Sequence, residues 1–282
     1  MKEKMNNKIK KIKLTWKNII LILIFLILFI TLNISIYNII KWKLDSNKTN
    51  EEINTIQENT NIEEVKDNKG TEIIKQAEKI SKENPYWDYI KMNMIDVNFD
   101  NLKKINSDVV GWIKVNGTNI NYPFVQSKDN KYYLTHSFNK SYNNAGWVFL
   151  DYRNNNINNR NTIIYAHGRT DKTMFGTLRK VLNNGWINNA NNYVIKISTE
   201  KENSLWQIFS IYHIPTTNDY LQTEFKDERE YQRFLNILKN RSNHNFNTSI
   251  TSNDTILTLS TCYNDSEKMV VHAKLIKKQK KY

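Results

Sequence analysis

The chain has 282 residues, 39% hydrophobic and 12% aromatic, which suffices for one sizeable packed domain with accessory segments and excludes wholesale disorder. Its formal charge of +13 is not concentrated among aromatics: residues 1–17 hold seven lysines and one glutamate, and the rest is spread thinly. That distribution fits a basic surface near an anionic wall or membrane, with no nucleic-acid partner.

Residues 1–17 read as a basic cytoplasmic segment because of the apolar run next to them. Asn18 to Ile40 is a stretch of 23 residues without a charge, long enough to cross a bilayer as a helix. Positive charge before it and a long polar chain after it predict a single-pass anchor, N-terminus inside and body outside. The run is too long for a signal-peptide core, and Asn33-Ile34-Ser35-Ile36 offers no small-x-small cleavage site. Residues 41–82 come next. Up to residue 70 they are rich in Asn, Glu, Lys and Thr and poor in aromatics, which predicts a polar stalk unable to fold alone. In 71–82 the spacing of Ile73, Ile74, Ala77 and Ile80 predicts a helix.

From residue 83 a folded domain is expected to the end of the chain. A short helix is predicted at 98–106, with Asn98 or Asp100 as its cap. The period then switches from helical to alternating. Eight short runs bounded by Asn, Gly, Asp and Ser clusters read as strands, from "VVGWIKVNG" at 109 to "KMVVHAKLIKK" at 268. Helical spacing interrupts them at 172–182 and 227–242, the second with Tyr231, Phe234, Leu235 and Leu238 as its apolar stripe. Many short strands and few helices predict a mainly β fold, a barrel or sandwich.

The chemistry turns on the one cysteine, Cys262, at the end of the seventh run. A lone thiol makes no intramolecular disulfide, and by itself it reads equally as a small core residue or as a nucleophile. A nucleophilic thiol needs a histidine brought close by the fold and donors for the oxyanion it creates. Five histidines are available. His167 ends a strand run just before Gly168, where a strand opens into a loop, whereas His272 lies inside the last run and His213 inside an aromatic strand. His136 and His244 fall in polar loops. No H-x-x-x-H or cysteine pair is present, so neither a metal nor a cofactor is expected.

"TLSTC" (258–262) resembles the T-L-x-T-C signature of sortases, the cell-wall cysteine transpeptidases, and "IIYAHGRTDKTMFGTL" (163–178) resembles the family's histidine-bearing strand and loop. The likeness covers most of 83–278, including "YYLTHSF" and "AGWVFLDYRN". N-terminal helices before the first strand and the helix at 227–242 are similar to class B members in particular. The resemblance implies an eight-stranded β-barrel with the long helix between its sixth and seventh strands. It also implies catalysis by Cys262, which would attack the Thr carbonyl of a sorting motif near the C-terminus of a secreted protein. His167 would act as acid and then base, and a peptidoglycan amine would receive the acyl group.

One departure stands out. Sortases carry an arginine at the start of the last strand; here that place holds Lys268, and no arginine follows Arg241. Lysine keeps the charge and loses the planar fork. Lys268, or an arginine from elsewhere such as Arg169, is left to hold the substrate oxyanion. Ser260 and Thr258 share a strand face with Cys262 by alternation and read as groove residues or as simple packing. Asp265 reads as an orienter of His167 or as a turn residue. Two other functions compete: a sortase-like surface assembly module without activity, which Lys268 keeps open, and a papain-like hydrolase. The latter expects cysteine upstream of histidine, and here His167 precedes Cys262 by 95 positions.

Overall fold

The computed structural model describes residues 15–74, 85–155, 159–262 and 266–281, with Cys262 described through its backbone. The chain divides into two compact units, Met1–Leu44 and Asp45–Tyr282. Helix α1 (Trp16–Glu58) begins in the first. There its Leu, Ile and Phe side chains are exposed on every side, as expected of a helix apolar all round, and it is long and apolar enough to cross a membrane.

The stretch of α1 within the second unit corrects the picture of a solvated stalk. Ser46, Thr49, Ile53 and Ile56 are buried, a spacing of three and four that forms one face of a helix. Asn143 Nδ2 donates to Thr49 Oγ1 at 3.0 Å, Asn139 N to Glu52 Oε1 at 2.8 Å, and Gln57 Nε2 to the Asn121 carbonyl at 2.9 Å. Half of that buried face is polar, so a search for apolar periodicity passes over it.

Two short strands follow, β1 (Ile62–Val65) and β2 (Thr71–Ile73), then helix α2 (Tyr86–Tyr89), strand β3 (Met94–Val97) and helix α3 (Asp100–Ile105). β1 pairs with β3 as a separate two-stranded ribbon. The helix expected at 71–82 is not what begins there: Thr71–Ile73 is β2, antiparallel to residues 277–279. An open strand edge satisfies these backbone groups, and pairing overrides local propensity. Residues 75–82, the rest of that expected helix, lie outside the described residues. α3 starts near the expected place, but its N-cap is Phe99, which makes no side-chain cap bond; Asn98, one residue earlier, forms a turn by accepting from Asp100 N at 2.8 Å.

The barrel is built from the eight runs predicted as strands: β4 (Val109–Val115), β5 (Asn121–Gln126), β6 (Phe149–Leu150), β7 (Asn161–Tyr165), β8 (Val194–Ser198), β9 (Glu202–Pro215), β10 (Ile256–Cys262) and β11 (Glu267–Lys280). The order around the wall is β4-β5-β6-β7-β10-β11-β9-β8, closed by β8 on β4. Two pairings are parallel, β5 with β6 and β7 with β10. The far end of β11, which extends past its pairing with β10, is covered by β2. Helix α4 (Asn184–Ile187) lies in the β7–β8 connection, and α5 (Glu228–Asn240) between β9 and β10, the sixth and seventh barrel strands.

Alternation sorts β10 and β11 between two cores. Leu257, Leu259, Val271 and Ala273 join the barrel interior with Phe124, Ile164, Ile197 and Trp206. Ile256 and Val270 face the other way, onto Tyr231, Phe234, Leu235 and Leu238 of α5, the stripe expected from the sequence. Asp227 caps α5, its side chain accepting from Glu230 N at 2.8 Å. The segment 172–182 forms a 3-10 stretch only from Gly176, because Lys172 and Met174 take left-handed backbone angles (φ 69° and 51°) that interrupt a regular helix.

Candidate functional site

The parallel register of β7 and β10 sets the site. Ile163 lies opposite Thr258, Ile164 opposite Leu259 and Tyr165 opposite Ser260. Ala166 N still donates to the Ser260 carbonyl, at 3.4 Å. His167 follows the last paired residue of β7 by two positions, and Cys262 lies two positions past its partner Ser260 on β10. On the other side, the antiparallel register of β10 and β11 sets Cys262 opposite Lys268. Three neighbouring strands therefore deliver residues 167, 262 and 268 to one end of the barrel.

A cavity of about 480 Å³ opens there, and His167, Lys268, Ser260 and Tyr165 are among its lining. Leu134 borders it from the β5–β6 connection, Tyr220 and Leu221 from the loop after β9. His167 Nε2 sits 2.8 Å from the Leu134 carbonyl. A carbonyl only accepts, so Nε2 carries the hydrogen and Nδ1 is the basic nitrogen of the ring.

The loop behind His167 is stiff. Phe175 N donates to the His167 carbonyl at 3.0 Å, and Asp171 accepts from Thr173 N at 3.0 Å. Arg169 grips the same carboxylate with Nε at 3.0 Å and a terminal nitrogen at 2.5 Å. Burial pushes the Asp171 carboxyl up, but hydrogen bonds from Arg169, Thr173 and Ser46 prevail and hold it down at about 2. A Cβ on Gly176 would lie 2.1 Å from the Arg169 carbonyl, so only glycine lets the chain pass there. Arg169 is thereby committed to the loop: it is nearly buried against Asp171 and does not line the cavity, which removes it as the substitute for the usual arginine.

Ser260 and Thr258 part company. Ser260 lines the cavity, with Oγ 2.9 Å from the Tyr220 hydroxyl. Thr258 does not, in keeping with the packing alternative. It is fully buried, donating to Asn161 Oδ1 at 2.7 Å and lying 2.9 Å from His272 Nδ1. Alternation put both on one face, but depth along the strand separates groove wall from core.

Of the five histidines, all within the described residues, only His167 lines this cavity. His136 stacks on Tyr132 with ring centroids 4.0 Å apart, His244 Nε2 lies 3.2 Å from the Tyr193 hydroxyl, and His213 Nδ1 lies 3.1 Å from Glu267 Oε1. His272 is fully buried with Nε2 2.8 Å from the Tyr212 hydroxyl. Burial, and then the charge of Arg241, lower its pKa to about 3, so it is a neutral structural member.

That shift carries a stability consequence. An unfolded histidine with a pKa of 6.5 binds a proton that folded His272 refuses, so folded-state stability falls as pH drops from about 6.5 towards 3. Over the first 1.5 pH units the loss amounts to about 2 kcal/mol. Urea unfolding at pH 7 and pH 5 should show this slope in wild type and a flatter one in His272→Gln; equal slopes would contradict the assignment.

Sequence reasoning missed Leu134, Tyr220 and Leu221. Leu134 contributes a backbone carbonyl, which no side-chain pattern reveals. Tyr220-Leu221 did carry a signal, two apolar residues in the otherwise polar "TTNDYLQTE". Asp265, weighed as an orienter of His167, lies outside the described residues.

Comparison with known proteins agrees with this geometry. The sortase domain family model matches residues 113–276. Sortase B of Staphylococcus aureus is 39% identical over 184 residues, covering 64% of this chain and 75% of that protein. Among solved structures, a Staphylococcus aureus sortase B–substrate complex is 38% identical with a TM-score of 0.59, covering 64% of this chain and 84% of the other. A sortase B in complex with triglycine is also 38% identical, with a TM-score of 0.60 over 64% of this chain and 85% of that one. With the closed eight-stranded barrel and the helix between its sixth and seventh strands in place, the chain belongs to the sortase family as a cysteine transpeptidase most like the class B members.

Proposed function

We propose that this chain is a membrane-anchored enzyme that cleaves a sorting motif near the C-terminus of secreted proteins after threonine and joins the acyl product to an amine of peptidoglycan. The observation that carries the reading is the strand register, which delivers 167, 262 and 268 to one end of the barrel, beside the groove that His167 and Lys268 line.

In the proposed cycle the Cys262 thiolate attacks the threonine carbonyl carbon, and the carbonyl electrons move onto oxygen beside the Lys268 ammonium. Collapse of this adduct breaks the C–N bond. Protonated His167 gives its Nδ1 proton to the departing amine, leaving a thioester on Cys262. An incoming amine then attacks the thioester carbon and surrenders its proton to His167, and the thiolate leaves. A thioester retains acyl reactivity, so the second amide forms at little energetic loss. The complexes of the related sortase B proteins with a substrate and with triglycine support a peptide donor and an amine acceptor. The uncharged run Asn18–Ile40 serves as the anchor, with the lysines of 1–17 on the cytoplasmic side and the barrel outside.

Mass spectrometry of residues 41–282 incubated with Asn-Pro-type motif peptides tests this directly. The expected result is one acyl adduct on Cys262 that disappears on adding an amine acceptor, with no adduct and no cleavage in Cys262→Ala. Cleavage that persists in the alanine form would rule out the thioester route. Silence of the wild type towards every motif would favour a surface assembly module.

A further inference from the structure

Asp151 and Arg153 lie just after β6 and line no part of the groove, yet their hydrogen bonds reach three of its sides. Asp151 is completely buried. Its Oδ2 accepts from the Tyr165 hydroxyl at 2.8 Å, from Asn130 Nδ2 at 2.9 Å and from a terminal nitrogen of Arg153 at 2.8 Å. Its Oδ1 accepts from Arg153 N and Nε, both at 2.9 Å. The Arg153 nitrogen that holds Oδ2 also donates to the Leu221 carbonyl at 3.0 Å. Tyr165, Asn130 and Leu221 all line the groove. Tyr165 stands two residues before His167, and Asn130 four before Leu134, whose carbonyl fixes the imidazole.

We infer that the Asp151–Arg153 pair is a positioning device that clamps the Leu221 side of the substrate groove to the strand carrying His167. A buried carboxylate needs a partner, and the arginine fork satisfies both of its oxygens while leaving a donor for a third group. Lysine cannot do all three. The loop after β9 is otherwise held by Tyr220 against Ser260, by Asn161 under the Gln222 carbonyl, and by Asp219 against Arg241 at the end of α5. Asn161, on β7, holds the Tyr220 and Gln222 carbonyls to the wall that leads to His167, and Arg153 adds the tie at Leu221 between them, next to the groove. Groove width, and hence the fit of the motif, depends on that tie. The role rests on the transpeptidase reading for its effect on substrate, but not for its effect on the loop.

The test compares wild type, Arg153→Lys and Arg153→Ala by amide hydrogen exchange at 218–222 and by steady-state kinetics on a motif peptide. Loss of a charge-assisted bond predicts exchange about tenfold faster across 220–222 in both variants. It also predicts KM about tenfold higher with kcat within about twofold, and a weaker preference for the motif over a peptide altered at one position. Unchanged exchange in both variants would overturn the inference. So would kcat falling in step with melting temperature while KM stays fixed, which marks a merely structural pair. Should the wild type turn over no peptide, the transpeptidase reading falls, and the exchange result still decides whether Arg153 holds the loop.

Discussion

Replacing His167 with glutamine should lower kcat by about 10²–10⁴-fold while KM moves little, because proton transfer is lost and peptide contacts are kept. Glutamine is suited to the test because its amide nitrogen reaches the level of the ring Nε2 and can still donate to the Leu134 carbonyl, the partner of Nε2 at 2.8 Å. What it lacks is a basic atom in place of Nδ1. Both halves of the cycle need that atom, as acid for the departing amine and as base for the incoming one. Rapid-quench mass spectrometry should therefore show slow thioester formation and, once it forms, slow transfer to the acceptor. A kcat within tenfold of wild type would remove His167 from proton transfer and leave it a structural neighbour of the Leu134 turn.

The second large effect concerns Lys268. Lys268→Ala should lower kcat/KM by about 10²–10³-fold, the range typical of losing one oxyanion-stabilising group. Lys268→Arg should keep or raise the rate, since a planar fork offers two donors where an ammonium offers a point charge. The β10–β11 register supports this directly, because Lys268 stands across from Cys262 and lines the same cavity as His167. With Arg169 bound to Asp171, no arginine and no second lysine among the described residues lines that cavity. A fluorogenic motif peptide assayed with all three forms decides the matter: equal rates would exclude Lys268 from the mechanism.

Much of the barrel was legible because barrel strands are short, alternate in polarity and end in turn-forming residues, and each of the eight runs read this way contains a barrel strand. Helix α5 was legible through both its stripe and the Asp227 cap. Failures fell where tertiary partners outweighed local pattern. Thr71–Ile73 became a strand because β11 offered an edge, and residues 45–58 docked through a face half made of serine and threonine. In the site, Cys262, His167 and Lys268 were put forward through the family resemblance and Ser260 by alternation, and His167, Lys268 and Ser260 line one cavity. Thr258 shows the limit of that rule, since alternation gives the face and says nothing of what covers it. Asp151 and Arg153 were beyond reach, for nothing in "FLDYRN" tells which carbonyl 68 positions away an arginine will hold.

The parallel contact between β7 and β10 has a further bearing on how the enzyme comes into being. Parallel neighbours cannot be joined by a tight turn. Here the excursion from Tyr165 to Ile256 includes two barrel strands and α5. Closing so long a loop is entropically costly and slow, so the encounter of these strands belongs late in folding. No excised hairpin or half-barrel should display even residual catalysis. Until the last strands zip shut, a nascent chain holds positions 167 and 262 on separate, unpaired segments.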